Sequence, residues 1–231
     1  IWIHEIGDMR AADIYTPASA TLTATKSIID ARPVINYPED GDRTVRSIEA
    51  DSLTLKALAG GIGDLNNPLV IKVGSGGVNA TTPLGYSMYF DAAESSSLYL
   101  GTLTSGMDIY ANAYTGGLIS TGAVSARKDL FVSSDLSMSG LNFSAGGIAQ
   151  VSSTRGSIKG TRVAAGYGSA KLDAGGDIAL TSITSNSDVT ALAGGGISAS
   201  VASAGRDLDL HAEGGGINGT SWSAGRLVQV L

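Results

Sequence analysis

Two groups of side chains in this sequence have the types and spacing to do chemistry: aspartates that recur beside arginines, and a local gathering of aromatics. Asp108, Asp129, Asp188 and Asp207 each open a short alternating segment, Arg206 directly precedes the last of them, and Arg226 follows about one repeat later. Hydrolysis of a glycosidic bond needs two carboxylates held about 5 Å or about 6.5–9.5 Å apart, depending on mechanism. If the segments stack, Asp188 and Asp207 come to adjacent rungs with both arginines beside them. These aspartates, however, come back once in each repeat. A residue present in every repeat serves the architecture, and in turns an Asp side chain accepts hydrogen bonds from nearby backbone amides. The pattern therefore predicts a protein that is not an enzyme.

Other candidate centres are thinner. Gly60-Gly61-Ile62-Gly63-Asp64-Leu65 is close to the calcium nonapeptide, but its Asp falls one residue early and no second copy follows. Glu39-Asp40-Gly41-Asp42 lacks the spaced carboxylates of a dedicated cation site and reads as a solvated acidic loop. The two histidines, His4 and His211, form no ligand pair, and the absence of cysteine removes thiolate ligands and nucleophiles. Gly74-Ser75-Gly76-Gly77 meets the nucleophile-elbow pattern only if its rules are relaxed. Gly194-Gly195-Gly196 precedes an alternating strand, not the helix a phosphate loop requires. No metal, cofactor or catalytic residue is expected.

The aromatic group is Tyr86, Tyr89 and Phe90, with Tyr99 beyond them. Such residues give amphipathic contact area at low entropic cost, so Tyr86, Tyr89 and Phe90 are the possible ligand contacts. The competing reading is that they pack an irregular segment onto the body of the protein, and the aromatic side chains favour it.

The elements that must position these residues are short strands. Val189 and Leu208 are 19 residues apart, Leu208 and Leu227 again 19, and Ile197 and Ile217 are 20 apart. Within each unit apolar and polar residues alternate, as Leu208 and Leu210 do with Asp207, Asp209 and His211, and glycines end the strands, where a positive φ permits a sharp turn. A strand repeat this short cannot close its own core and must stack on its neighbours. The 231 residues carry 16% charged side chains, 43% apolar ones and 32 glycines without a three-residue period, which excludes collagen and argues against disorder. A net charge of −6 with scattered Lys and Arg gives no basic face for nucleic acid or an anionic membrane. No apolar run is long enough for membrane insertion as a helix, and no signal-peptide pattern opens the chain. Both ends look cut from something longer. The fold class predicted is all-β, a parallel β-helix solenoid running through residues 1–231, with an inserted loop at 32–46 marked by Pro33 and Pro38 and an irregular aromatic-rich excursion at 74–97.

The order of units carries a family resemblance. Ile1-Trp2-Ile3-His4-Glu5 followed by Gly7-Asp8-Met9, then Ala20-Thr21-Leu22-Thr23-Ala24 and Ser27-Ile28-Ile29-Asp30-Ala31, resembles the repeat region of large bacterial secreted adhesins of the filamentous haemagglutinin and leukotoxin-like filamentous adhesin type. Leu53-Thr54-Leu55, Gly60-Gly61-Ile62-Gly63 and Asn67-Pro68-Leu69-Val70-Ile71 fit the same group, and Ala204 to Leu210 is similar to its haemagglutinin repeats. The resemblance covers the chain outside 32–46 and about 74–97. It implies a right-handed β-helix, a place on the surface of a Gram-negative cell or in its secretions, and export through an outer-membrane partner. It also implies that host or neighbouring-cell receptors or glycans are met through the parent protein. It carries over no binding residue, since shaft repeats share no ligand motif. A polysaccharide-acting β-helix enzyme and a receptor-binding segment that uses 74–97 are the alternatives.

Overall fold

Alternation with period two places every second side chain on one face of a strand. In this chain those inward positions are mostly Leu, Ile, Val and Ala, with Met and Phe at a few of them. A computed structural model describes residues 1–32, 46–93 and 96–231, and among them it contains 24 strands and no helix. The strands pair in parallel and stack as a β-solenoid of about 11 turns. At a strand spacing of about 4.8 Å, that stack is roughly 50 Å long.

One coil shows the plan. Strand Ala149–Ser153 leads through a turn to Ile158–Ala165, and a second turn leads to Ala170–Ala174, which lies directly on Ala149–Ser153. The middle strand has two arms. Its inward alternation changes phase around Gly160-Thr161-Arg162, and its pairing with Ile178–Ser185 passes over Thr161. The cross-section is thus three short arms around an apolar column. Along one arm the inward row is Ile109, Leu130, Ala149, Ala170, Val189 and Leu208, all fully buried. Along another it is Met138, Ile158, Ile178 and Ile197. Burying one large aliphatic side chain contributes about 1.5–3 kcal/mol, and each coil adds several.

Register agrees with the sequence spacing over most of the stack and departs from it at one end. Val189 faces Leu208 and Ile197 faces Ile217, as the repeat predicts. Leu208, however, faces Val228, and Leu227 faces Asp207. Ala204 faces Ala224 and the Arg226 amide donates to Arg206 O at 2.8 Å, which fixes this coil one residue longer than the preceding one. A one-residue slip exchanges the two faces of a strand, so Leu227 takes the outward position opposite Asp207 and Val228 the inward one opposite Leu208.

The insertion expected at 32–46 lies outside the described residues except for its ends, Arg32 and Arg46. The stretch 74–97, expected to leave the coils, belongs to them for most of its described length. Strand Leu69–Leu84 pairs with Ile48–Ala57 and with Leu98–Gly106, and strand Met88–Ala92 stacks under Ile109–Ala113. What reads as irregular in sequence is a set of register shifts, one opposite Ala50 to Ser52 and two against Leu98–Gly106. The extra residues are absorbed as bulges, with Gly77 and Gly85 in the left-handed region at φ 69° and 87°.

Candidate functional site

The recurrent aspartates hold one coil to the next. Asp108 Oδ1 accepts the Asp129 amide at 3.1 Å, and Asp129 Oδ1 accepts the Ile148 amide at 2.8 Å. The Ser87 hydroxyl begins this series by accepting the Asp108 amide at 3.2 Å. A second series runs along another turn. Ser137 Oγ accepts from the Ser157 amide at 3.1 Å, Ser157 Oγ from Asp177 at 3.0 Å, and Asp177 Oδ1 from Gly196 at 2.8 Å. These partners are 19 to 21 residues away in sequence, so the side chains bridge coils and do not close their own turns.

Two glycines follow from this contact and not from φ. A Cβ on Gly147 would lie 2.2 Å from Asp129 Oδ1, and one on Gly195 would lie 2.2 Å from Asp177 Oδ1. Neither has a positive φ. The strand-ending glycine was expected to serve the turn's backbone; at these two positions it makes room for the carboxylate from the coil beneath.

The Asp188, Asp207, Arg206 and Arg226 group is assembled as pairs. Arg206 grips Asp188 with Nε and Nη2, and Arg226 grips Asp207 in the same fashion, each one coil along. Asp135 and Arg155 form a third such pair. The Arg206 guanidinium holds the Asp188 carboxyl below its ordinary range, and Arg155 does so for Asp135. A carboxylate gripped on both oxygens is a poor proton donor, and these pairs sit on turns at the surface.

A deeper ionic contact joins Asp30 and Arg32 to Ser47. The Asp30 side chain is fully buried and receives hydrogen bonds from Arg32 Nε at 2.9 Å, from Arg32 Nη2 and from the Ser47 hydroxyl. Arg32 also donates to Ser47 Oγ at 2.9 Å. Burial works to raise the Asp30 carboxyl, but the bonds from Arg32 and Ser47 outweigh it and hold the group below the usual carboxylate range. The effect is to fasten Arg32 and Asp30 to Ser47.

The three aromatic candidates part company. Phe90 is fully buried in the core, between Leu69 and Ala111 in the stack. Tyr86 is exposed on a turn, where its amide approaches Pro83 O and its carbonyl receives the hydroxyls of Thr82 and Ser105, both at 3.0 Å. Tyr89 faces outward and stacks on Tyr110, which stacks on Phe131, with 4.8 Å between ring centroids in both steps and near-parallel planes. Sequence reasoning missed Tyr110 and Phe131, although Tyr89, Tyr110 and Phe131 are each one repeat apart and the signal was there to read. Because the rings lie face to face at the rung spacing, both faces of Tyr110 and one face each of Tyr89 and Phe131 are covered by a neighbouring ring. Burial first, then the charges of Asp108, of the Tyr89 phenol and of Asp129, raise the Tyr110 hydroxyl above its ordinary value. Beside the rings, Asn112 donates to Asp91 at 3.1 Å and accepts from the Ser133 hydroxyl at 2.6 Å.

The remaining sequence candidates resolve locally. Asp64 Oδ1 accepts the amides of Asn66 and Asn67 at 2.8 and 2.9 Å, a turn in which the carboxylate is occupied by backbone. His4 is exposed beside Trp2, and His211 lies half-buried on an outward row. The acidic run 39–42 lies outside the described residues. Among the described residues no three His, Cys, Asp or Glu side chains are grouped closely enough to hold a metal ion, and no helix is long and apolar enough to cross a membrane.

The fold and these contacts define a β-solenoid whose polar side chains serve chiefly to tie coil to coil. Comparison with protein-family models, with curated proteins and with solved structures finds no match.

Proposed function

We propose that this chain is a shaft segment of a large extracellular adhesin of a Gram-negative bacterium, exported through an outer-membrane partner, which holds a binding region away from the cell. The observation that supports this reading is the continuity of the stack. Parallel pairing runs from the coil of Trp2 to the coil of Val230 through the register shifts, and Asp108, Asp129 and Asp177 are engaged in coil-to-coil bonds along the way. A column of parallel ladders resists bending, because bending must stretch hydrogen bonds on one side of it. The receptor-binding alternative rests on Tyr86 and Tyr89, the two members of the aromatic group that reach the surface.

The test is a glycan-array and cell-binding screen of the purified chain beside a Tyr86→Ala/Tyr89→Ala variant. Phe90 is left intact, since it belongs to the core. Absence of binding by both supports a shaft. Binding lost in the variant overturns it in favour of a receptor site on this segment, and depolymerisation of any glycan would move the reading to an enzyme.

A further inference from the structure

Tyr89 and Tyr110 hold the same position in successive coils. Strand Met88–Ala92 pairs in parallel with Ile109–Ala113, and the register sets Met88 opposite Ile109, Tyr89 opposite Tyr110 and Phe90 opposite Ala111. Met88, Phe90, Ile109 and Ala111 are fully buried, so the two phenols project together on the outer face, where each is half-buried. Their ring centroids are 4.8 Å apart and their planes 10° from parallel. The pair is pinned on both sides. Two residues before it, Ser87 Oγ accepts the Asp108 amide at 3.2 Å, and next to that the Met88 amide donates to Asp108 O at 2.9 Å. Two residues after it, Asn112 Nδ2 donates to Asp91 Oδ1 at 3.1 Å. Neither coil can slide on the other without breaking these bonds.

The neighbours leave each of these phenols a single phenolic partner. The other face of Tyr110 is covered by Phe131, again at 4.8 Å, which has no hydroxyl. On the other side of Tyr89 lies Gly63, where an added Cβ would stand 3.3 Å from Tyr89 Cβ. Tyr99 lies opposite Ile119 in the next coil.

We propose that Tyr89 and Tyr110 are the site of an intramolecular tyrosine–tyrosine cross-link, formed when a diffusible one-electron oxidant generated from a peroxide reaches the stack. Each phenol gives one electron to the oxidant and its hydroxyl proton to water, which leaves a phenoxyl radical with spin on the carbons ortho to oxygen. One ortho carbon of each ring then bonds to the other. The hydrogens on those two carbons leave as protons, both oxygens are protonated again, and both rings regain aromaticity. Each link thus releases two electrons and two protons, and the peroxide O–O bond is reduced by the two electrons. Phenoxyl radicals are short-lived, and the stack keeps the second ring in contact with the first, which turns an encounter between radicals into an event within one molecule. The product ties one coil to the next covalently. Like a disulfide, it removes chain entropy from the unfolded state.

The experiment uses the whole chain in dilute solution, with persulfate and photoexcited tris-bipyridyl ruthenium as the oxidant. The product should be a monomer lighter by two hydrogens, with the blue fluorescence of coupled phenols. Cleavage before aspartate places Tyr89 in the peptide 64–90 and Tyr110 in the peptide 108–128, and mass spectrometry should find the two joined. Tyr89→Phe and Tyr110→Phe keep the stacked rings, and each should abolish the link. Tyr86→Phe should leave it in place. The yield should fall about tenfold or more in urea, where nothing holds the rings together. The linked chain should also need more urea to unfold than the unlinked one. Absence of the joined peptides, a link between them that survives Tyr89→Phe, coupling only between separate chains, or an equal yield in urea would overturn the proposal.

Discussion

Asp129 stands one coil above Asp108, and its amide donates to the Asp108 carboxylate at 3.1 Å while its own carboxylate takes the next amide in the stack. The same residue thus joins two successive bonds, one through its backbone amide and one through its side chain. The second series, from Ser137 through Ser157 and Asp177 to Gly196, repeats the device along a different turn. Asp177→Ala should lower stability by about 0.5–1.5 kcal/mol, the net contribution of one hydrogen bond whose amide water can reach. Asp177→Asn, which keeps an acceptor oxygen, should lose less. Urea midpoints of the two variants, compared with the parent, check this.

Gly195 and Asp177 should behave as one unit. An alanine at 195 pushes its Cβ against Asp177 Oδ1 and displaces the bond to Gly196. Gly195→Ala alone should destabilise the chain, and in the Asp177→Ala background it should cost less by about 0.5–3 kcal/mol, the range for residues in direct contact. Additive losses in the double-mutant cycle would contradict the contact.

Acid should act through the Asp30 contact. Its folded pKa lies below the unfolded value, so the stabilisation is present above the unfolded value of about 3.9 and is lost as pH falls through the folded one. Asp30→Asn removes this dependence. Its melting temperature should be lower than the parent's at neutral pH, and the gap between them should narrow below about pH 4. A gap that stays constant down to the lowest pH would show that Asp30 contributes nothing through its charge.

The aromatic residues should separate by burial. Phe90→Ala empties a site in the core and should cost about 3–5 kcal/mol. Tyr86→Ala, on an exposed turn, should stay within about 0.5 kcal/mol. Tyr110→Ala removes two stacked contacts, each worth about 0.5–1.5 kcal/mol beyond area burial, so it should exceed Phe131→Ala, which removes one. Denaturant unfolding orders the four variants.

Tyr110 should also titrate late. Burial and the neighbouring carboxylates oppose a phenolate there, so its absorbance change should fall above the usual tyrosine value of about 10. Subtracting the ultraviolet titration of Tyr110→Phe from that of the parent isolates it.

Much of this protein was determined by its sequence alone. Alternation of Leu208 and Leu210 with Asp207, Asp209 and His211 sets a strand with one dry face, and spacing such as that from Val189 to Leu208 sets the stacking partner. Both are periodic properties of a one-dimensional fold, in which each coil touches only its neighbours. The Tyr89, Tyr110 and Phe131 stack was written in the same period. Tertiary structure alone decided what depends on the third coordinate. It turned the glycine-rich run from Gly74 into bulges within a strand, placed Leu227 opposite Asp207, and sent Phe90 inward while Tyr89 went out. It also directed Asp108 and Asp177 to amides about twenty residues away, in the coil above.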